Sequence, residues 1–87
     1  MTEEGLKIRH VVLDVLKPHE PRLSDFALYL AGLQGVSKVD ISVAEMDQRT
    51  ESLRVILDGD DIDFEELSKH MLRYDAVVQS LDKVVVE

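Results

Sequence analysis

Residues 6–16 form a mostly apolar run in which alternate side chains take opposite sides of an extended chain. One side receives Val11, Leu13 and Val15. The other side receives Ile8, His10, Val12, Asp14 and Leu16. Because both sides are largely apolar, the pattern predicts a central strand, or a strand whose second face meets a partner. The segment Pro18-His19-Glu20-Pro21 follows, and its two prolines end the strand and lead into a helix.

Apolar residues next recur at steps of three and four, which is the period of an amphipathic helix. The first such stretch predicts a helix over 22–33 that buries Leu23, Phe26, Leu30 and Leu33. Ser24 and Asp25 are expected to cap its start, and Gly35 is expected to take the left-handed conformation after its end. The second stretch predicts a helix over 63–74 that begins with a capping box, Asp63 and Glu66.

Three further segments show strand patterns. Residues 36–46 alternate with Val39, Ile41 and Val43 on one side, and residues 52–58 alternate with Leu53, Val55 and Leu57 on one side. The polar segment 47–51 between them predicts a hairpin loop. Residues 77–86 are rich in valine and predict the last strand.

The predicted order is therefore β-α-β-β-α-β. Two strand–helix–strand halves of this length are typical of a ferredoxin-like α+β fold, in which two helices cover one face of a four-stranded antiparallel sheet. Right-handed crossovers place the first and third strands in the middle and the second and fourth at the edges. Residues 1–5 are expected to be a flexible tail and residues 6–87 a single domain.

The sheet face away from the helices is expected to be mixed in character. Its predicted members are His10, Val12, Asp14, Asp40, Ser42, Ala44, Arg54, Ile56, Ser80 and Asp82. Such a face is too polar for a core and too apolar to be left bare in water. We therefore expect it to meet a partner subunit or a ligand.

The net charge of the chain makes some classes of binding partner unfavourable. Eighteen acidic residues against ten Lys and Arg give a net charge of -8, which disfavours nucleic acids and anionic membranes. No cysteine is present, so disulfides, thiolate metal sites and Cys nucleophiles are excluded. The polar start Thr2-Glu3-Glu4-Gly5 does not resemble a signal peptide, and no apolar run approaches the roughly 18 residues of a membrane span. The expected location is the cytoplasm.

The string Leu13-Asp14-Val15-Leu16-Lys17-Pro18-His19-Glu20-Pro21 resembles the archaeal domain-of-unknown-function family 211. The similarity continues through four further segments, namely Leu33-Gln34-Gly35-Val36, Glu45-Met46-Asp47 with Thr50-Glu51, Asp58-Gly59-Asp60-Asp61-Ile62-Asp63, and Ser80-Leu81-Asp82-Lys83-Val84-Val85. The resemblance implies a ferredoxin-like fold, a homo-oligomeric assembly and no established activity.

Two positions depart from that family's pattern. Asp75-Ala76 stands where paired glycines are usual, and Gln79 stands where histidine is usual. Gln is a poor ligand for transition metals and does not titrate near neutral pH. The second departure counts against a metal or proton-transfer role at that position.

Asp14 is the first candidate site residue, because a buried aspartate must be paired, hydrogen-bonded or bound to a cation. The last strand is expected to run antiparallel to the first, which brings Ser80 and Asp82 toward Asp14. Two carboxylates and a hydroxyl are a start for a site that binds Ca²⁺ or Mg²⁺. The alternatives are a salt bridge to Arg54 or Arg9, or plain exposure.

Two loops provide the other candidates. Asp58, Asp60 and Asp61 superficially resemble a calcium loop, but they lack the spacing of an EF-hand, and the alternative is a solvated acidic helix start. His19 and Glu20 pair an imidazole with a carboxylate, so they are candidates for a ligand or interface loop, or for acid–base chemistry. The alternative is a rigid connection whose polar groups cap the helix. His70 is expected to be exposed.

These features lead to three functional hypotheses. The first is a non-enzymatic protein that associates with itself through the open sheet face or the edge strand 77–86, and that binds a divalent cation or small ligand. The second is an enzyme whose site is completed between subunits, with His19, Glu20 and Asp14 as acid–base residues. The third, by analogy of fold alone, is a regulatory module that senses a metabolite.

Overall fold

A computed structural model describes residues 5–87 of the chain. It contains β1 (Ile8–Pro18), α1 (Leu23–Ala31), β2 (Val36–Met46), β3 (Thr50–Gly59), α2 (Phe64–Leu72) and β4 (Val77–Val86). The predicted element order is confirmed. Apart from the exposed Gly5, the predicted tail lies outside the described residues.

The four strands form one antiparallel sheet in the order β2-β3-β1-β4. Both central strands and both edge strands are those that the crossover argument predicts. The two long, largely apolar strands in the middle each pair on both sides, whereas β4 and β2 each pair on one side only within residues 5–87. The ferredoxin-like α+β fold is thus the fold of this chain.

The core lies between the helices and one face of the sheet. Alternate residues of the central strands provide its floor, and each helix contributes its buried stripe. The fully or almost fully buried members are Val11, Leu13, Val15, Phe26, Leu30, Leu53, Val55, Leu57, Ile62, Leu67, Met71 and Ala76. Aliphatic residues dominate this core, and Phe26 meets Tyr74 edge to face at a centroid distance of 6.4 Å.

Both helices are shorter than predicted, and their starts differ in chemistry. Asp63 caps α2 as expected, since its carboxylate accepts a hydrogen bond from the backbone N–H of Glu66 at 3.2 Å. The prediction that Ser24 and Asp25 bond the free N–H groups of α1 was wrong, since the N-cap is Arg22 and no side chain within residues 5–87 caps it. Asp25 does lie in the first turn, where its carboxylate favours the helix dipole.

The central strands are longer than predicted at the end where β1 leaves the sheet. β1 runs two residues beyond 16 and β3 starts two residues before 52, and Lys17 pairs with Glu51 in the resulting register. Both charged residues therefore continue the inward alternation of their strands, and both are buried. The predicted hairpin loop 47–51 contracts accordingly to the turn 47–49.

The face away from the helices is mixed, as predicted. Val12 is only 3% exposed there, while Arg54 and Asp40 are open to solvent. Strand β4 is irregular along this sheet, because its register against β1 shifts between Leu81 and Lys83 and again between Val78 and Ser80. Asp82 and Gln79 are the extra residues at these shifts, so neither has a partner on β1.

Among residues 5–87, no helix has the length and apolar character that crossing a lipid bilayer requires.

Candidate functional site

The loop between β1 and α1 is tied to the turn between β2 and β3 through one imidazole ring. Nδ1 of His19 lies 3.0 Å from Oε2 of Glu51, and Nε2 lies 2.9 Å from the carbonyl oxygen of Asp47 and 3.1 Å from that of Gln48. Carbonyl and carboxylate oxygens only accept hydrogen bonds. Both ring nitrogens therefore face acceptors, an arrangement that suits the doubly protonated imidazolium.

The surroundings favour that charge. The hydrogen bond to Glu51 raises the pKa of His19 above the usual 6.5, desolvation opposes the rise, and the carbonyls of Asp47 and Gln48 add to it. The ring is 39% exposed, so solvent moderates these effects. His19 is therefore more cationic at neutral pH than an isolated histidine.

Glu51 links this imidazole to a second cation beneath it. Its Oε1 lies 3.4 Å from Nζ of Lys17, whose side chain is fully buried. Nζ also donates to the carbonyl oxygens of Pro18, at 2.8 Å, and of Pro21, and it lies 5.8 Å from the centroid of the Phe26 ring. Four groups thus surround the buried ammonium. Lys17, Glu51 and His19 form a cluster that we call the ion triad.

The ion triad includes a residue of the Pro18–Pro21 loop. Both ring nitrogens of His19 are engaged by groups of the chain itself, and Glu20 is exposed without an ion pair within residues 5–87. Asp14 pairs with Arg54 and Ser80 on the sheet and lies apart from the triad. The structure therefore does not bring together His19, Glu20 and Asp14, the three acid–base candidates, and it gives His19 a structural position.

Asp14 occupies the middle of the open sheet face. Ser80 is its partner on β4 and Arg54 its partner on β3, as the antiparallel arrangement predicts. The hydroxyl of Ser80 donates to Oδ1 of Asp82 at 2.8 Å. Within the described part of the chain, Asp14 makes no ion pair shorter than 4.0 Å, and Arg9 pairs instead with Asp60. Asp14 is half-buried.

The acidic loop after β3 has other partners. Asp58 lies 2.6 Å from Nδ1 of His10, and Asp60 pairs with Arg9, while Asp61 is exposed. Two of the three carboxylates predicted to bind a metal thus already face a positive or titratable group. No cluster of three or more His, Cys, Asp or Glu side chains suited to a metal ion occurs in residues 5–87. The cation site at this loop stays a prediction.

A cleft of about 830 Å³ opens beside this loop, between the start of α2 and the segment that leads into β2. Its lining combines the apolar residues Ile8, Leu33 and Ile62 with carboxylates of the loop and of the start of α2. His70 also lines it and is half-buried rather than exposed as predicted, and the Tyr29 hydroxyl lies 2.9 Å from its Nδ1. This contact joins α1 to α2.

The sequence interpretation missed the two buried members of the ion triad. Lys17 and Glu51 were placed outside the strands, although each stands two positions from an inward-facing apolar residue. Continued alternation of Val11, Leu13 and Val15 leads directly to Lys17. Opposite charges at the inward end positions of neighbouring strands were the available signal.

Comparisons with known proteins agree on one family. A family model described as DUF211, uncharacterised ArCR, matches residues 9–87. A protein of Methanocaldococcus jannaschii that is described as uncharacterised is 41% identical over 78 residues, which cover 90% of this chain and 80% of that protein. The match to the family model spans the ion triad, the open sheet face and β4.

Proposed function

We propose, from the premise that the chain belongs to the uncharacterised family DUF211, that this protein acts by associating with further copies of itself rather than by catalysing a reaction. The observation that supports this proposal is the outer edge of β4. This strand has ten residues and no proline, and in the described part of the chain no strand pairs with its outer side. A long apolar edge of this kind is suited to pairing with a strand of another molecule.

The side chains of β4 strengthen the argument. Val77, Leu81, Val84 and Val86 are 42–52% exposed. Leu81 and Val84 pair with Leu13 and Val11, whose side chains face the helices, so these two lie on the helix-covered face of the sheet. They nevertheless stay exposed at its rim. Burying them requires a neighbour beyond the edge.

The charged residues of β4 favour one register for antiparallel pairing with β4 of a second copy. An antiparallel pair related by a two-fold axis at Leu81 joins the two Leu81 side chains and sets Val78 of each copy against Val84 of the other. Asp82 then faces Ser80 of the second copy. An axis at Asp82 or at Lys83 would instead bring identical charges together, which is unfavourable. The sequence of β4 is thus compatible with pairing about Leu81.

Replacing Leu81 by Lys is expected to weaken self-association by about 30-fold or more, because it places two ammonium groups at the proposed axis and removes the central apolar contact. Sedimentation velocity at micromolar concentration measures the effect. The matched control is Val43→Lys at the opposite edge of the sheet, where a valine is 40% exposed. The control should leave the assembly unchanged.

Three results would count against self-association through β4. A wild-type protein that sediments as a 10 kDa monomer at high micromolar concentration excludes self-association, and the bulges of β4 then serve to guard the edge. An assembly that survives Leu81→Lys but dissociates in Ile56→Lys places the contact on the open sheet face. Dissociation by Val43→Lys alone assigns it to β2.

We further propose that a divalent cation binds at Asp14, Ser80 and Asp82. Asp14 supports this proposal because it is half-buried without an ion pair in residues 5–87, while the Ser80 hydroxyl and the Asp82 carboxylate lie on the neighbouring strand. Two carboxylates and one hydroxyl are fewer than the six to eight oxygens that Ca²⁺ takes. Water or a second copy supplies the others.

Calcium or magnesium at ten times its dissociation constant is expected to stabilise the wild-type protein by about 1.4 kcal/mol, measured as a rise in Tm at constant ionic strength. Asp14→Asn should abolish most of that rise. Asp40→Asn, which removes an exposed carboxylate from the same sheet face, should preserve it. A wild-type protein with no response to either cation, or an equal response in Asp14→Asn, contradicts this assignment.

A further inference from the structure

The turn between β2 and β3 is held from outside by a single side chain of the β1–α1 loop. His19 contacts Asp47, Gln48 and Glu51, which are 28 to 32 residues away in sequence. The turn's own hydrogen bond is local, from the N–H of Asp47 to the carbonyl oxygen of Thr50 at 2.8 Å. The imidazole therefore links two loops that are far apart in the sequence.

The number of protons on this ring determines whether all its contacts are favourable. With both nitrogens protonated, Nδ1 donates to Glu51 and Nε2 donates to the two carbonyl oxygens. In the neutral ring only one nitrogen carries hydrogen. Either the carboxylate of Glu51 then faces a lone pair, or the carbonyls of Asp47 and Gln48 do. Deprotonation thus removes one hydrogen-bond donor and leaves the lone pair of a ring nitrogen facing an acceptor oxygen.

Among the charged groups near the His19 ring, Glu51 is the one that balances its positive charge. Glu51 from β3 is the one carboxylate paired with His19 in the described ranges, and Lys17 from β1 lies on its far side. The charged groups of the adjoining loop and turn are Glu20, Arg22, Asp47 and Arg49. None of them forms an ion pair with His19 in residues 5–87. The charge of the ring is therefore balanced through Glu51, a buried carboxylate that Lys17 fixes in place.

We propose that protonated His19 is a latch that fastens the β2–β3 turn to the β1–α1 loop, and that deprotonation at rising pH releases this end of the sheet. The inference is independent of self-association, because its contacts lie within one copy of the chain. The released turn exposes the carbonyls of Asp47 and Gln48 and one face of the Glu51 carboxylate. The protein thus carries a conformational response to pH in the β1–α1 loop.

The direction of the effect on stability follows from linkage. The folded state raises the pKa of His19 above its unfolded value of about 6.5. The bound proton therefore contributes its full stabilisation below pH 6.5, and that contribution is lost as the pH rises through the folded value. Release of the latch is accordingly expected above pH 6.5, as the pH rises through the raised pKa of the folded state.

Amide hydrogen exchange tests the latch at a defined probe. The Asp47 amide reports on the turn, and the Asp60 amide, which donates to Gly35 at 3.0 Å at the other end of the sheet, is the internal reference. Between pH 6 and pH 9, the protection factor of Asp47 is expected to fall roughly threefold to tenfold relative to Asp60, the scale of one solvent-exposed charge-assisted hydrogen bond. The midpoint should coincide with the titration of the His19 ring observed by NMR.

Two variants complete the test. His19→Gln should show low Asp47 protection that no longer responds to pH, whereas His70→Gln, which alters another half-buried histidine, should keep the wild-type response. A constant ratio of the two protection factors while the His19 ring titrates would overturn the proposal. So would an equal pH response in His19→Gln. If His19→Gln does not fold, the coincidence of the two wild-type midpoints decides.

Discussion

Replacing Glu51 by Ala is expected to lower the free energy of unfolding by about 3 to 5 kcal/mol, the cost of leaving a buried charge without its partner. Lys17 is fully buried, and Glu51 provides the carboxylate 3.4 Å from its ammonium. The variant leaves that ammonium with the carbonyls of Pro18 and Pro21 and the Phe26 ring, and it also removes the carboxylate acceptor of His19. Such a loss is a large share of the roughly 5 to 15 kcal/mol that stabilises a domain.

Urea denaturation followed by circular dichroism measures this loss, and two variants separate its causes. Glu51→Gln keeps the shape and an acceptor oxygen, so its smaller cost isolates the missing charge. The double variant Lys17→Met with Glu51→Ala removes both charges, and it should cost clearly less than the sum of the two single changes. Additive costs, or a loss below about 1 kcal/mol for Glu51→Ala, would show that the Lys17 ammonium reaches water.

The order of the elements and the arrangement of the sheet could be predicted because they depend on local periodicity and on one handedness rule. Val11, Leu13 and Val15 alternate without interruption, and the pattern of β3 matches theirs. Antiparallel neighbours also made the approach of Ser80 to Asp14 predictable, and the register confirms it. These properties require only which side of a strand a residue occupies.

Other features depend on contacts between distant segments, and local patterns did not predict them. Asp82 is the extra residue at a register shift between β4 and β1, and the alternation of β4 alone does not show where such a shift falls. The partners of His19 lie about 30 residues away in a turn whose position follows from the hairpin register. Lys17 was missed because the strand was predicted to end at residue 16, before the two prolines, whereas the ion pair with Glu51 lets the inward alternation continue to Lys17.

The close approach of two glycines at the other end of the sheet leads to the second large expected effect. Gly59 ends β3 opposite Val36, and a Cβ atom on Gly59 would lie 1.9 Å from the carbonyl oxygen of Gly35. That oxygen accepts the backbone hydrogen bond from Asp60 at 3.0 Å, so it cannot move without breaking this contact. Gly35 itself has a φ of 88°, a left-handed conformation that glycine adopts without strain.

Gly59→Ala is therefore expected to lower the free energy of unfolding by about 3 kcal/mol or more, because the clash involves backbone atoms rather than a flexible side chain. The matched control is Gly32→Ala, since Gly32 has a helical φ of -84° and a Cβ there meets neighbours at 3.6 Å and 3.8 Å. That change should be neutral or slightly stabilising, because alanine reduces the entropy of the unfolded chain. Urea denaturation of both variants tests the pair. Equal stability of the two would mean that the junction of β2 and β3 shifts to accept the methyl group, and the described contact between Gly35 and Gly59 would then not constrain the sheet.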